Sequence, residues 1–298
     1  VAADPVILGP LAAPRRRFGR VSAGDVGFML FTAVMSAMIV LAVWPGLVTT
    51  RDPTEQSLMD RHRPPGYTDD AGATFPLGTD HLGRDLLSRL VFGARASLTV
   101  GFAGLGLGAG AGVLIGLLAG YRGGYLDRII VGVIDTYLSF PYILIAIVWA
   151  SLVGTTLLTL VLIVAVRGWV DFARVVRAQV LSIREREYVT AARGLGAGDR
   201  RILSRHVLPN TAGAVLVIAG FQLGRLILLE ATLSFLGLGI QPPTPAWGSM
   251  LADARLYVTQ AWWTAAFPSI AISLTVLSTN FVGDSLRDRL DPTLRGRI

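Results

Sequence analysis

Charged side chains are sparse along most of this chain and crowd into a few segments, leaving long apolar runs between them. A hydrocarbon core of about 30 Å takes about 20 helical residues to cross. Six runs approach or exceed that length, at about residues 26–48, 98–119, 129–152, 156–176, 212–236 and 262–282. Phe140-Pro141 interrupts the third and predicts a kink, because proline removes a helix hydrogen bond and collides with the preceding turn. The pattern predicts an all-α membrane protein with six transmembrane helices. Residues 1–25 then form an N-terminal tail and 26–48 the first transmembrane helix. Residues 49–96 make an external loop with an interfacial segment, 97–284 a five-helix core, and 285–298 a C-terminal tail.

Arginine placement orients the spans, since cytoplasmic loops carry an excess of basic residues. Arg15, Arg16, Arg17 and Arg20 precede the first run, and Arg122 and Arg128 separate the second and third. Further arginines crowd residues 174–205, and Arg287, Arg289, Arg295 and Arg297 follow the sixth. With six spans all four groups fall on one side, so both termini are expected in the cytoplasm. Residues 49–95 mix arginines with Asp52, Glu55, Asp60, Asp69, Asp70, Asp80 and Asp85, which suits the outer face. The first run exceeds the apolar core of a signal peptide, about 7–15 residues. Trp44-Pro45 stands where a cleavage site would, so a retained helix is expected.

Composition supports lipid as the solvent. Of 298 residues, 52% are hydrophobic and 16% charged, against about a quarter charged in soluble domains. The net charge of +7 is accounted for by cytoplasmic arginine rather than by nucleic acid. Cysteine is absent, and His62, His81 and His206 lack metal-ligand spacing. Lysine is absent too. A P-loop requires lysine at its phosphate-binding turn, so if ATP drives this protein, another chain hydrolyses it.

Gly104, Gly108, Gly112, Gly116 and Gly120 recur every fourth residue and line one face of the second span. Small residues at that period let helix backbones approach closely, either within the chain or at a subunit or sliding interface. Asp135, Arg225 and Glu230 fall inside apolar runs, and Arg167 and Asp171 near the inner end of the fourth. Charges at such depth face a cavity or a partner, so they are candidates for a polar pathway lining or for structural ion pairs. Trp247, Trp262 and Trp263 sit where an interfacial aromatic belt would place them, and residues 250–257 read as a short surface helix.

Residues 187–210 form the most informative loop. Good helix formers end at Gly194 and Gly196, which are natural C-terminal breakers. Asp199 is placed to cap a second short helix, residues 200–207, and Pro209 to close it. Helix, glycine turn, helix and stop make a compact knob with small Ala191 and Ala192. Composition alone equally allows an ordinary interfacial loop.

The loop resembles the EAA motif of ABC-importer permeases. Ala191, Ala192, Gly196, Ile202, Leu208 and Pro209 fall at matching positions, with Thr190 where the motif has glutamate. Residues 77–89, 233–248 and 283–292 are similar to stretches of the dipeptide, oligopeptide and nickel permeases, in the arrangement of the second, C-type subunit. The resemblance implies a type I importer permease fold and a coupling loop that enters a cleft on an ATP-binding subunit. It also implies a homologous second permease, two ABC ATPase domains carrying ATP and magnesium, and an extracytoplasmic substrate-binding protein. This chain itself would bind no cofactor and catalyse no reaction. Peptides are the expected cargo, with nickel or another small chelate as the alternative. An ion-coupled secondary transporter would call for an inverted repeat with midplane carboxylates, and no internal repeat stands out.

Overall fold

The computed structural model describes residues 23–290. Arg15, Arg16, Arg17, Arg20, Arg295 and Arg297 lie outside the described residues. The helices are α1 (Ala23–Val43), α2 (Leu86–Arg122), α3 (Gly124–Leu138), α4 (Tyr142–Val153) and α5 (Leu157–Ile183). They continue as α6 (Glu187–Gly194), α7 (Asp199–Ile202), α8 (Leu208–Phe235), α9 (Trp247–Ala254) and α10 (Trp263–Leu290). A small antiparallel pair, β1 (Tyr67–Thr68) and β2 (Thr74–Phe75), sets Tyr67 opposite Phe75.

Four helical stretches among the described residues are long and apolar enough to cross a membrane: α1, α2, Asp199–Phe235 and α10. A fifth is obtained if α3 and α4 count as one span. The third apolar run is not a kinked rod, because its two halves meet at 86°. Pro141 disfavours helical backbone at Phe140 and starts α4 as its N-cap, so the chain turns between them. The remaining long helix, α5, carries Arg167, Asp171, Arg174 and Arg177 and is not among the apolar stretches.

Several boundaries move. Residues 86–96, assigned from the sequence to the external loop, are the first turns of α2, and α10 continues past 284 to Leu290. α1 stops at Val43, short of 48, and a 3₁₀ turn follows at Pro45–Leu47. The start of α2 escaped an apolar count because its charges are folded inward: Arg89 is 3% exposed. Asp85 caps that end, its Oδ2 accepting from the Ser88 backbone N–H at 3.0 Å.

α2 and α5 form the centre of the bundle, and the five α2 glycines at four-residue spacing, Gly104 to Gly120, all face α5. A Cβ at Gly112 would lie 2.3 Å from the Trp169 carbonyl oxygen and 2.6 Å from Phe172 Cβ. At Gly108, Gly116 and Gly120 the nearest atoms would be the carbonyl oxygens of Ala165, Ala173 and Arg177, at 2.8, 2.6 and 2.8 Å. At Gly104 it would be Val164 Cγ1, 2.5 Å away. From Gly104 to Gly120 the backbone of α2 lies directly against the backbone and Cβ atoms of α5. α8 meets α10 in the same manner, a Cβ at Gly220 falling 2.6 Å from Gly283 Cα.

The tryptophans divide differently from a simple belt. Trp262 is 59% exposed, whereas Trp247 and Trp263 are buried. Trp247 donates its indole N–H to the Leu90 carbonyl at 2.9 Å, and Trp263 donates to that of Thr79 at 3.2 Å. They are core residues that tie α9 and α10 to the start of α2.

Replacing both Gly112 and Gly116 by leucine should separate α2 from α5, since overpacking costs about 1–3 kcal/mol even for single added groups. The expected outcome is a lower yield of folded protein and a lower melting temperature in detergent than for a Gly106→Leu control, where a Cβ meets open space. Equal melting temperatures would refute the close contact.

Candidate functional site

The knob predicted at residues 187–210 is present, with a different second half. α6 begins with Glu187 in its first turn, where a carboxylate suits the helix dipole. It ends in a Schellman turn. Ala197 N–H reaches the Ala192 carbonyl and Gly196 N–H that of Arg193, each at 3.0 Å, with Gly196 at φ +82°. Asp199 does not cap α7: the N-cap is Gly198, with no side-chain bond. The Asp199 carboxylate instead accepts from the Tyr121 hydroxyl near the C-terminal end of α2, at 2.7 Å.

Pro209 does not close the second helix either. α7 passes into a π-helical turn, Leu203–Val207, and then directly into α8, with Pro209 in its first turn. Proline is tolerated there because its missing N–H falls where helix donors lack partners. Asp199 to Phe235 is therefore one helical stretch of 37 residues, about 55 Å at 1.5 Å per residue.

One face of the knob is anchored and the other is open. Val189, Ile202 and Val207 are fully buried against Leu117 of α2 and Val176, Val180 and Ile183 of α5. Each such side chain contributes about 1.5–3 kcal/mol on burial. Thr190, Ala191, Gly196, Leu208 and Pro209 are exposed and Ala192 is half-buried. Leu195 at the glycine turn is 89% exposed. The knob is thus anchored by an apolar face and leaves open a face on which an exposed leucine is flanked by small residues.

At the opposite end of α2 lies a charged cluster that apolar patterning did not reveal. Asp80 Oδ2 lies 2.7 Å from Arg84 Nε and 3.3 Å from Arg89 Nε. Asp253 of α9 sits 3.4 Å from Arg84 and 3.6 Å from Arg89. Asp80, Arg84 and Arg89 are at most 5% exposed. The i,i+4 spacing of Asp80 and Arg84 was a readable signal; Asp253, far along the chain, was not. Gly78 and Gly83, both at positive φ, complete this cap, and a Cβ on Gly83 would fall 1.7 Å from the Ser57 carbonyl oxygen. The stretch from Leu77 to Arg89 thus works as a structural cap that binds the loop to α2, α9 and α10. His81 borders it, and desolvation lowers its pKa against the opposing pull of Asp80 and Asp253.

The polar candidates inside the helices do not form one site. Asp135 and Arg225 are exposed, while Glu230 is fully buried, its Oε1 accepting from the Ser234 hydroxyl at 2.7 Å. The ion pair considered for Arg225 and Glu230 is not formed. Arg167 does pair with Asp171 at 3.1 Å, and Gln222 of α8 donates to the same carboxylate at 2.6 Å. Gln222, unremarked in the sequence, is the link that joins this pair to α8.

Residues 112–296, which contain the knob, match the family of binding-protein-dependent transport system inner membrane components. The chain belongs to that family. It is 40% identical over 297 residues to the di/tripeptide transport system permease protein DppC of Pseudomonas aeruginosa, covering 99% of this chain and 96% of that one. It is also 40% identical to the dipeptide permease protein DppC of Bacillus subtilis, over 88% of this chain and 80% of the relative. The glutathione transport system permease protein GsiD of Pectobacterium atrosepticum is 45% identical over 74% of this chain and 73% of its own length. This permease is accordingly a multi-pass membrane protein.

Two outcomes are expected at the cap of this permease. Asp80→Asn leaves Arg84 and Arg89 buried without their main counter-charge, a loss of about 3–5 kcal/mol. The thermal midpoint should fall well below that of Asp253→Asn, whose parent side chain is 38% exposed. His81 has its folded pKa below the ordinary 6.5, so between those values the unfolded chain binds the extra proton. The cap should therefore be most stable above pH about 6.5 and weaken as pH falls below it. Hydrogen exchange of residues 77–85 at pH 7.5 and 5.5 should show this, and His81→Gln should reduce the difference.

Proposed function

We propose that this chain is one of two permease subunits of an ATP-driven peptide importer in a bacterial cytoplasmic membrane. It forms half of the pathway wall and is driven through its knob. The observation that carries the mechanism is the unbroken helix from Asp199 to Phe235. The relatives named for dipeptide, di/tripeptide and glutathione transport support a peptide cargo, and none of them favours nickel.

On this reading six segments cross the membrane: α1, α2, α3 with α4, α5, α8 and α10. α5 crosses as the fourth because α2 and α8 cover it and its Asp171 is neutralised by Arg167 and Gln222. The knob and both termini face the cytoplasm, as the arginines require, and residues 49–85 face outward. A homologous permease completes the pathway and two ABC ATPase domains hold ATP and magnesium. An extracytoplasmic binding protein delivers the peptide.

The chain's own residues do mechanical work. Thr190, Ala191, Ala192, Leu195 and Gly196 present the surface that enters the ATPase cleft. Closure of the ATPases pushes the knob, and the helix continuing from Asp199 carries the displacement into α8. Thr190 replaces the motif's glutamate, and its hydroxyl lies 3.4 Å from the Arg186 carbonyl in its own helix. Apolar fit at Leu195 therefore takes the larger share of the contact.

Gly196→Trp adds bulk at a position whose φ of +82° is costly for any side chain. Peptide uptake is expected to fall at least tenfold while the subunit is still inserted and ATP is still hydrolysed. Full coupled uptake by this variant would refute the coupling role. Leu195→Asp should act in the same direction by charging the apolar tip.

A further inference from the structure

Beside the cap of α2, residues 51–85 enclose an open cleft of about 310 Å³. Its charged lining is Asp52, Glu55, Asp60, Asp69 and Asp85, against the single guanidinium of Arg51. Local donors occupy one oxygen of several of these acids. Asp52 and Asp69 bind backbone N–H groups of their own turns, and Asp60 accepts from Ser57 and Tyr67. The Ser57 and Tyr67 bonds hold the Asp60 carboxyl below its ordinary pKa, so it stays ionised. Asp85 supplies the independent sign of a ligand. It is 5% exposed, its Oδ2 is committed to Ser88, and its Oδ1 has no hydrogen-bond partner. Arg51 does not answer this charge, because its guanidinium stacks over the Phe75 ring at 4.2 Å.

We infer that this cleft receives a lysine or arginine side chain of the substrate-binding protein. The inference rests on the importer reading and names the surface through which the partner docks. Among the described residues no three His, Asp or Glu side chains converge closely enough to hold a metal ion. Five acids against one guanidinium make the cleft a receptor for a cationic side chain rather than for a bound metal. Its lining comes wholly from residues 51–85, in the segment between α1 and α2. The walls are preformed, since the Gly83 contact with the Ser57 backbone fixes one side against the other. Charge complementarity at such a rim raises the rate of encounter and fixes orientation.

The test uses the complete transporter in proteoliposomes, with ATPase activity followed as binding protein is added. Glu55→Lys, alone and with Asp52→Lys, should raise the half-maximal concentration of binding protein at least tenfold and leave basal ATPase and assembly unchanged. Asp70→Lys, an exposed acid outside the cleft, should have little effect. Reversing one basic residue of the binding protein should restore affinity to the Glu55→Lys complex. An unchanged half-maximal concentration in the double variant overturns the proposal. So does a wild-type complex that loses its response when divalent cations are chelated only on the binding-protein side of the bilayer, with Mg-ATP kept on the ATPase side, which would make the cleft a metal site. A wild-type complex that no binding protein stimulates would bring down the importer reading itself, and the docking surface with it.

Discussion

The contact between α2 and α5 is the constraint on which the rest of this permease depends. In lipid there is little hydrophobic force between helices, so association relies on close packing and on hydrogen bonds. Five glycines at four-residue spacing let the two backbones touch from Gly104 to Gly120. This is the exchange that brings a charge-bearing helix into the centre of an apolar bundle. The glycine face of α2 covers α5 from Val164 to Val180, and three of its four charges are matched locally, Arg167 with Asp171 and Arg177 with Asp127 of α3, while Arg174 is exposed. Without the glycine face those pairs would have to be met in lipid.

Each end of that pair carries one of the two surfaces that matter. At the N-terminal end of α2, Asp80, Arg84, Arg89 and Asp253 lock the loop to α2 and α9, and Trp247 and Trp263 add their indole N–H bonds. A buried ionic network contributes little net stability compared with an apolar one, but it is demanding of geometry. Here it fixes where the acidic cleft stands. At the C-terminal end of α2, Val189, Ile202 and Val207 seat the knob on α2 and α5, with the Tyr121–Asp199 bond alongside. The α2–α5 pair is thus a strut that holds the charged cap at one end and the knob at the other.

The parts of this arrangement that repeat along the chain could be read from the residues, and those made by distant pairs could not. The glycine period, the Gly194–Gly196 break and the apolar runs are local, and each has a helical counterpart in the structure. Pro209 and Asp199 show the limit of local rules. A proline after a short helix usually ends it, but here it falls in the first turn of the next helix, and a π turn takes up the change in register. Asp199 has capping chemistry, yet Tyr121, distant in sequence, takes its carboxylate. The inward-folded charges at Arg84 and Arg89 displaced the start of α2 in the same way. Their counter-charge at Asp253 lies more than 160 residues away, the Arg84 contact spanning a separation of 169.

The path of a push on the knob depends on the contacts that hold it. Val189, Ile202 and Val207 hold the knob to the strut by side chains, while the α2 glycines lie directly on the backbone and Cβ atoms of α5. On the proposed coupling role, displacement of α7 would go into the helix it continues. α8 meets α10 closely through Gly220, Gly224 and Gly283, with Thr279, Asn280 and Val276 against Gly224. α8 also carries Gln222, bonded to Asp171 of the strut near mid-helix. On the same role, a push on the knob would tilt α8 about Gln222, and residues beyond it, Arg225 on the exposed face among them, would swing opposite to the knob.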